Sequence, residues 1–172
     1  MLFRSKGAKV SIVVVAVVAI FIIGSIAFVP PKRALSAAIM RDCIGVVKEK
    51  VRGAKIISAT AIQPDPNKRK VEDFSRATQA VMSRGDVTPS EPSVLIEFQT
   101  DRGDAKALCT YFADLWTGSG TYTGVSAREV QIGLSTLSDL EMVFMERFDV
   151  GRLDRVLSLI PIFGVEQKFY LD

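Results

Sequence analysis

The sequence predicts an α+β protein: one N-terminal transmembrane helix, then one compact domain with an antiparallel sheet and helices on one face. Three observations predict it. Residues 10–29 form an uncharged apolar run. Residues 30–172 alternate between helix-spaced and strand-spaced apolar patterns. Within them, "VLIEFQTDRGDAKALCTYF" reads as two alternating runs around a tight turn. The predicted division is a basic cytoplasmic flank at 1–9, a signal-anchor helix at 10–29 and an extracytoplasmic domain at 30–172.

The run from Val10 to Val29 is long enough, as a helix, to cover roughly 30 Å, the thickness of a bilayer's hydrocarbon core. A secretory signal's apolar region is usually shorter, so length favours a retained anchor. Ser25 and Ala27 occupy the small-residue positions that a signal peptidase reads, which makes cleavage after Ala27 the alternative. Pro30-Pro31 ends the helix, because proline lacks the N–H and fixes φ. Arg4, Lys6 and Lys9 precede the run, while Lys32, Arg33 and Arg41 follow it. The two sides nearly tie, and the α-amine tips the count toward an N-terminus inside. That places the domain in the periplasm or outside the cell, on a single-pass protein of the plasma (inner) membrane.

Each later element has its own signal. Leu35, Ile39, Cys43, Val47 and Val51 recur at four-residue steps, with Arg41, Lys48 and Arg52 off that line. They predict an amphipathic helix closed by Gly53. "AKIISATAIQ" is β-branched and predicts a strand with Ile56, Ser58, Thr60 and Ile62 on one face, stopped by Pro64. Val71, Phe74, Thr78, Val81 and Met82 predict a second helix before Gly85. Thr88-Pro89-Ser90-Glu91-Pro92 reads as a loop. In the hairpin, a two-residue turn at Arg102-Gly103 sets Phe98 against Ala107, Ile96 against Cys109 and Val94 against Tyr111. All six then share one face. The stretch Gly118 to Gly124 predicts a flexible surface loop. "REVQIGL" predicts another strand. Ser138 and Glu141 fit a capping box that opens a helix with Leu140, Val143, Phe144 and Phe148 inward. Leu153, Val156, Leu157 and Ile160 predict a short inward-facing helix closed by Pro161, and "VEQKFYLD" a last strand.

Composition excludes more than it identifies. Of 22 Lys and Arg residues, three precede the apolar run, leaving 19 against 19 acids from Pro30 onward. The basic character belongs to the N-terminal flank, which removes the electrostatic argument for nucleic acid as a partner. The local cluster Lys68-Arg69-Lys70 is the candidate for contact with lipid headgroups, set against a plain solvated loop. The chain has no histidine. That removes the usual general base, the Ser-His and Cys-His dyads and the commonest metal ligand. No phosphate-binding glycine motif is present. No catalytic residue, metal or cofactor is expected.

"AVVAIFIIGSIAFVP", running into a long amphipathic helix, resembles the start of type IV pilins and pseudopilins, and Lys6-Gly7 resembles their leader-cleavage site. The resemblance covers about the first fifty residues. It departs at Ile12, where the family usually carries glutamate, and at Ala8, where it carries an aromatic. It implies a pilin-like subunit as a minor alternative.

The chain has two cysteines. Cys43 lies on the apolar line of the first predicted helix and Cys109 on the apolar face of the hairpin. A helix covering that sheet turns both toward one core, where they either form a disulfide or remain two buried thiols. Together these features predict a bitopic envelope protein, not an enzyme. Its outer domain is expected to act as a protein-interaction module or small accessory subunit of a membrane assembly. The expected partners are the lipid bilayer and other membrane or envelope proteins, with no small-molecule ligand assigned. The alternative is a tethered ligand-binding or enzymatic domain, which needs a concave pocket with converging polar groups.

Overall fold

Proline at the first helical position fits the one place where its missing N–H costs nothing, and helix α1 (Pro31–Lys50) starts there. Lys48 and Lys50 stand in its last turn, where cations complement the helix dipole. Val51 is extended, and Gly53 takes φ 77° to turn the chain away. The predicted apolar line is the buried one: Leu35, Ile39, Cys43 and Val47 are at most 2% exposed. Ser36 is buried beside it, and its hydroxyl donates to the Lys32 carbonyl at 2.9 Å. The structure, a computed structural model, describes residues 29–62, 79–80, 83–138, 141 and 145–169.

The strands are β1 (Lys55–Ile62), β2 (Val87–Ser90), β3 (Ser93–Thr100), β4 (Gly103–Trp116), β5 (Thr121–Ile132), β6 (Ser135–Thr136), β7 (Phe148–Val150) and β8 (Glu166–Lys168). A second short helix, α2 (Arg152–Leu157), lies between the last two strands. The sheet runs in the order β6-β5-β4-β3-β1-β8, with β2 paired to the far end of β4 and β7 to β5. Every pairing is antiparallel except that of β8 with β1. Helix α1 covers one face of the sheet. Its buried side chains meet Ala59, Val94, Ile96, Phe98, Ala107, Cys109, Tyr111, Val125 and Val130 in one core.

This corrects the predicted fold class. The described residues form mostly sheet, eight strands against two helices, and not a balanced α+β domain. The membrane expectation is corrected with it. No helix among the described residues is long and apolar enough to cross a membrane. Residues 10–28, all but the last residue of the run on which the signal-anchor and single-pass readings rest, lie outside the described residues, as do Lys68, Arg69 and Lys70. Most of the helix predicted over 71–84 lies outside them too.

Several strands differ from expectation for local reasons. In the hairpin, Thr100 pairs with Gly103, so Phe98 meets Ala105, Ile96 meets Ala107 and Val94 meets Cys109. The turn is Asp101-Arg102. Neither residue has positive φ, and Gly103, at φ 117°, supplies the unusual conformation. The Thr100 hydroxyl accepts from the Arg102 amide at 3.2 Å and donates to the Gly103 carbonyl at 3.1 Å. The pairing is thus two residues from the predicted one. A two-residue slip preserves the buried face, because side chains alternate with period two. β1 departs by one residue. An irregularity between Ile56 and Ser58 inserts an extra residue, so Ile56, Ala59 and Ala61 are buried while Ile57 and Ile62 are exposed.

The glycine-rich stretch is a turn followed by strand, not a long loop. The Gly120 amide donates to the Trp116 carbonyl at 2.8 Å, and β5 begins at Thr121. Gly124, at φ 61°, sits where the pairing of β5 with both neighbours shifts. β2 replaces the predicted loop over Thr88-Pro89-Ser90. The predicted helix after Ser138 has Phe148 in β7 instead, while Leu140, Val143 and Phe144 lie outside the described residues.

Candidate functional site

Beside its buried line, α1 carries a second stripe at helical spacing: Ala38, Arg41, Asp42, Gly45, Val46 and Glu49. This stripe forms one wall of a groove of about 800 Å³. The opposite wall is Leu137, Glu141, Met145, Glu146 and Phe148, and α2 closes one end with Asp154 and Leu157. The groove is therefore built between the sheet-covering helix and the chain that leaves β6.

Four interactions hold the walls in place. Cys43 and Cys109 form a disulfide, with Cα atoms 6.0 Å apart and both residues fully buried. It ties the middle of α1 to the middle of β4. The Arg41 guanidinium donates to the Leu157 carbonyl and, at 3.1 Å, to the Ile160 carbonyl. That fastens α1 to the turn after α2. The Lys50 ammonium donates to Glu141 at 3.1 Å across the groove. On the outer side, Arg155 donates to the Gly120 carbonyl at 2.6 Å and anchors α2 to the β4–β5 turn.

The walls are capped as well as pinned. Ser138 and Glu141 form the expected capping box: the Ser138 amide and hydroxyl donate to Glu141 at 3.0 and 2.9 Å. These donors, with Lys50 across the groove, hold the Glu141 carboxyl down at about 2, with the Ser138 amide the largest cause. The Asp154 carboxylate accepts from the Gly151 amide at 2.8 Å and starts α2.

One groove-lining residue, Asp42, is paired with a buried tyrosine of the core. The Tyr111 hydroxyl donates to Asp42 at 2.7 Å. Burial raises the Asp42 carboxyl above its ordinary value, against the opposing pull of that hydrogen bond. Burial also drives the Tyr111 hydroxyl well above 10, and the Asp42 charge adds to the effect. Tyr111 thus stays protonated and serves as a fixed donor, not as a nucleophile. Among the described residues, no group of three or more Cys, Asp or Glu side chains is placed to hold a metal ion. What the arrangement can do is bind: it presents apolar walls with carboxylates set into them.

Beyond the groove, α2 and the turn after it hold the largest departure from expectation. The predicted inward face is turned outward: Leu153 is 70% exposed and Ile160 54%, with Leu157 on the groove rim. Leu159 and Phe163, in the turn that follows, are exposed as well. Cys43 and Cys109, for which the sequence leaves open a disulfide or two buried thiols, are bonded between α1 and β4, while the 68–70 cluster lies outside the described residues. Sequence reasoning missed the groove because its walls are separated by about a hundred residues. The one available signal was the mixed stripe of small, charged and apolar residues beside the apolar line of α1. Comparison with protein families, curated proteins and solved structures gives no match.

Proposed function

We propose that this chain is a protein-interaction domain of an oxidising, extracytoplasmic compartment, a module or accessory subunit that works by docking and not by catalysis. The groove along α1 is the docking site. The observation that carries this reading is the exposure of the apolar side chains Leu153, Leu157, Ile160 and Phe163, of which Leu157 lines the groove. Apolar side chains at a groove rim, left unpacked by their own fold, mark interaction surfaces. The buried Cys43–Cys109 bond supports the compartment, since such bonds persist where thiols are not kept reduced.

Photo-crosslinking in cells tests the reading. Gly45 lines the groove, and a side chain added there meets no atom within 4 Å, so a crosslinking residue fits. Adducts to another protein are expected from position 45 and not from Arg102, at the hairpin tip. Equal adducts from both positions, or none from either, would reject docking at this groove.

A further inference from the structure

We infer that the segment docked in the groove is a basic, amphipathic stretch of a partner protein; this rests on the docking reading above. The argument is a comparison of committed and uncommitted charges. The lining holds the acids Asp42, Glu49, Glu141, Glu146 and Asp154 against the bases Arg41 and Lys50. Both bases are already engaged: Arg41 with the Leu157 and Ile160 carbonyls, Lys50 with Glu141. Three acids are engaged as well: Asp42 with Tyr111, Glu141 with Ser138 and Lys50, and Asp154 with the Gly151 amide. Glu49 and Glu146 remain. Both are exposed, and neither has an ion pair or hydrogen bond among the described residues. Among the described residues, the groove therefore offers an incoming chain two available carboxylates and no available cation.

The apolar lining sets the second requirement. Val46, Met145, Phe148 and Leu157 line the same groove as the two glutamates. A segment that fills it needs apolar side chains on one face and lysine or arginine beside them, the pattern of an amphipathic helix laid into a groove. An acidic segment would set carboxylate against carboxylate with no partner to relieve it, which works against binding and gives the site its selectivity.

The test uses two designed 14-residue peptides that share leucines at helical spacing. One carries lysine at every other position and the other carries glutamate. Their binding to the whole oxidised protein is read by fluorescence anisotropy. The lysine peptide is expected to bind about tenfold tighter, roughly what two exposed ion pairs supply. That preference should shrink at high salt. The double variant Glu49→Lys with Glu146→Lys should abolish it, while Glu129→Lys, on β5 away from the groove, should leave it intact. An unchanged unfolding midpoint confirms that the double variant is folded. Equal binding of the two peptides, or a preference that survives the double reversal, overturns the basic partner. If position 45 still crosslinks a partner in that case, docking stands and only the partner's chemistry is rejected. If the adduct is a second copy of this chain, the basic partner is rejected too. If neither peptide binds and no adduct forms, both readings fail.

Discussion

Two regions of this molecule have similar apolar content and treat it in opposite ways. In α1, Ile39, Met40, Cys43 and Val47 are wholly buried against the sheet. From Leu153 to Phe163, the chain leaves Leu153, Leu159, Ile160 and Phe163 at the surface, the last fully exposed. Both stretches show helix-spaced apolar residues, and from pattern alone both read as core. The difference lies in what each stretch faces. α1 lies across β1, β3, β4, β5 and β7 and is tied to β4 by a covalent bond. α2 has six residues and packs on α1 alone among the longer elements, with Arg41 and Arg155 donating to backbone carbonyls at and after it. Periodicity reports that a face is apolar. It does not report that the fold supplies a surface to cover it.

The largest effect expected on this contrast comes from the disulfide. The bridged residues are separated by 66 positions in sequence. Closing a loop of that length stabilises by about 4 kcal/mol through the unfolded chain's lost entropy. Replacing both cysteines with alanine should lower the free energy of unfolding by an amount near that, measured in urea against the oxidised protein. A change under about 1 kcal/mol would show that packing alone pins α1 and would erase the covalent part of the contrast.

Next in size is Tyr111→Phe. It leaves the half-buried Asp42 without its hydroxyl donor, which should cost about 1–3 kcal/mol. A neutral result would mean that water satisfies Asp42 from the groove. Asp42→Asn should act in the opposite direction. Burial raises the folded-state carboxyl above its ordinary 3.8, so the folded protein binds the proton more tightly than the unfolded chain. Stability from this group therefore falls as pH rises from 3.8 through the folded value, and the penalty persists at neutral pH. The amide removes the charge and still accepts from Tyr111. The variant should be at least as stable as the parent at pH 7 and lose the corresponding slope. A destabilised variant would contradict the burial argument.

Glu141 gives the smallest effect, and its sign is reversed. Its folded value is lowered from 4.5 to about 2, so its contribution is complete above 4.5 and is lost as pH falls toward 2. Unfolding midpoints of the parent and Glu141→Gln should differ at pH 6 and converge by about pH 2. A gap that persists at pH 2 would assign the effect to hydrogen-bond geometry and not to charge.

Much of the pinned region was legible in the sequence. Leu35, Ile39, Cys43 and Val47 announce α1, and the alternation from Val94 to Phe112 announces the hairpin. The buried side of the hairpin was readable because parity is written in the alternation. Its pairing was not, because the position of the turn depends on which residue takes positive φ, and that was Gly103 and not the Arg102-Gly103 pair together. The irregularity at Ile57 was hidden for a related reason: a bulge is an agreement between two strands. β2 was hidden by Pro89, which a strand tolerates where its missing N–H faces no partner. The Ser138–Glu141 box was readable because it is local. The groove was not, since Lys50 and Glu141, which meet across it, are 91 residues apart. The outward turn of Leu153 and Ile160 had no sequence signal at all.

The central claim is that Leu153, Ile160 and Phe163 do not support the fold and are held at the surface for a partner. Equilibrium unfolding of two variants tests it most directly. Ile39→Ala removes a wholly buried side chain from α1 and should cost about 2–5 kcal/mol. The triple variant Leu153→Ser, Ile160→Ser and Phe163→Ser removes three exposed side chains, and each change should stay within about 0.5 kcal/mol. The Arg41 bond to Ile160 uses the backbone carbonyl and survives the substitution. A large loss from Ile39→Ala beside a near-unchanged triple variant is the predicted result. A triple variant that unfolds as readily as Ile39→Ala would contradict the account, because it would place Leu153, Ile160 and Phe163 in the core.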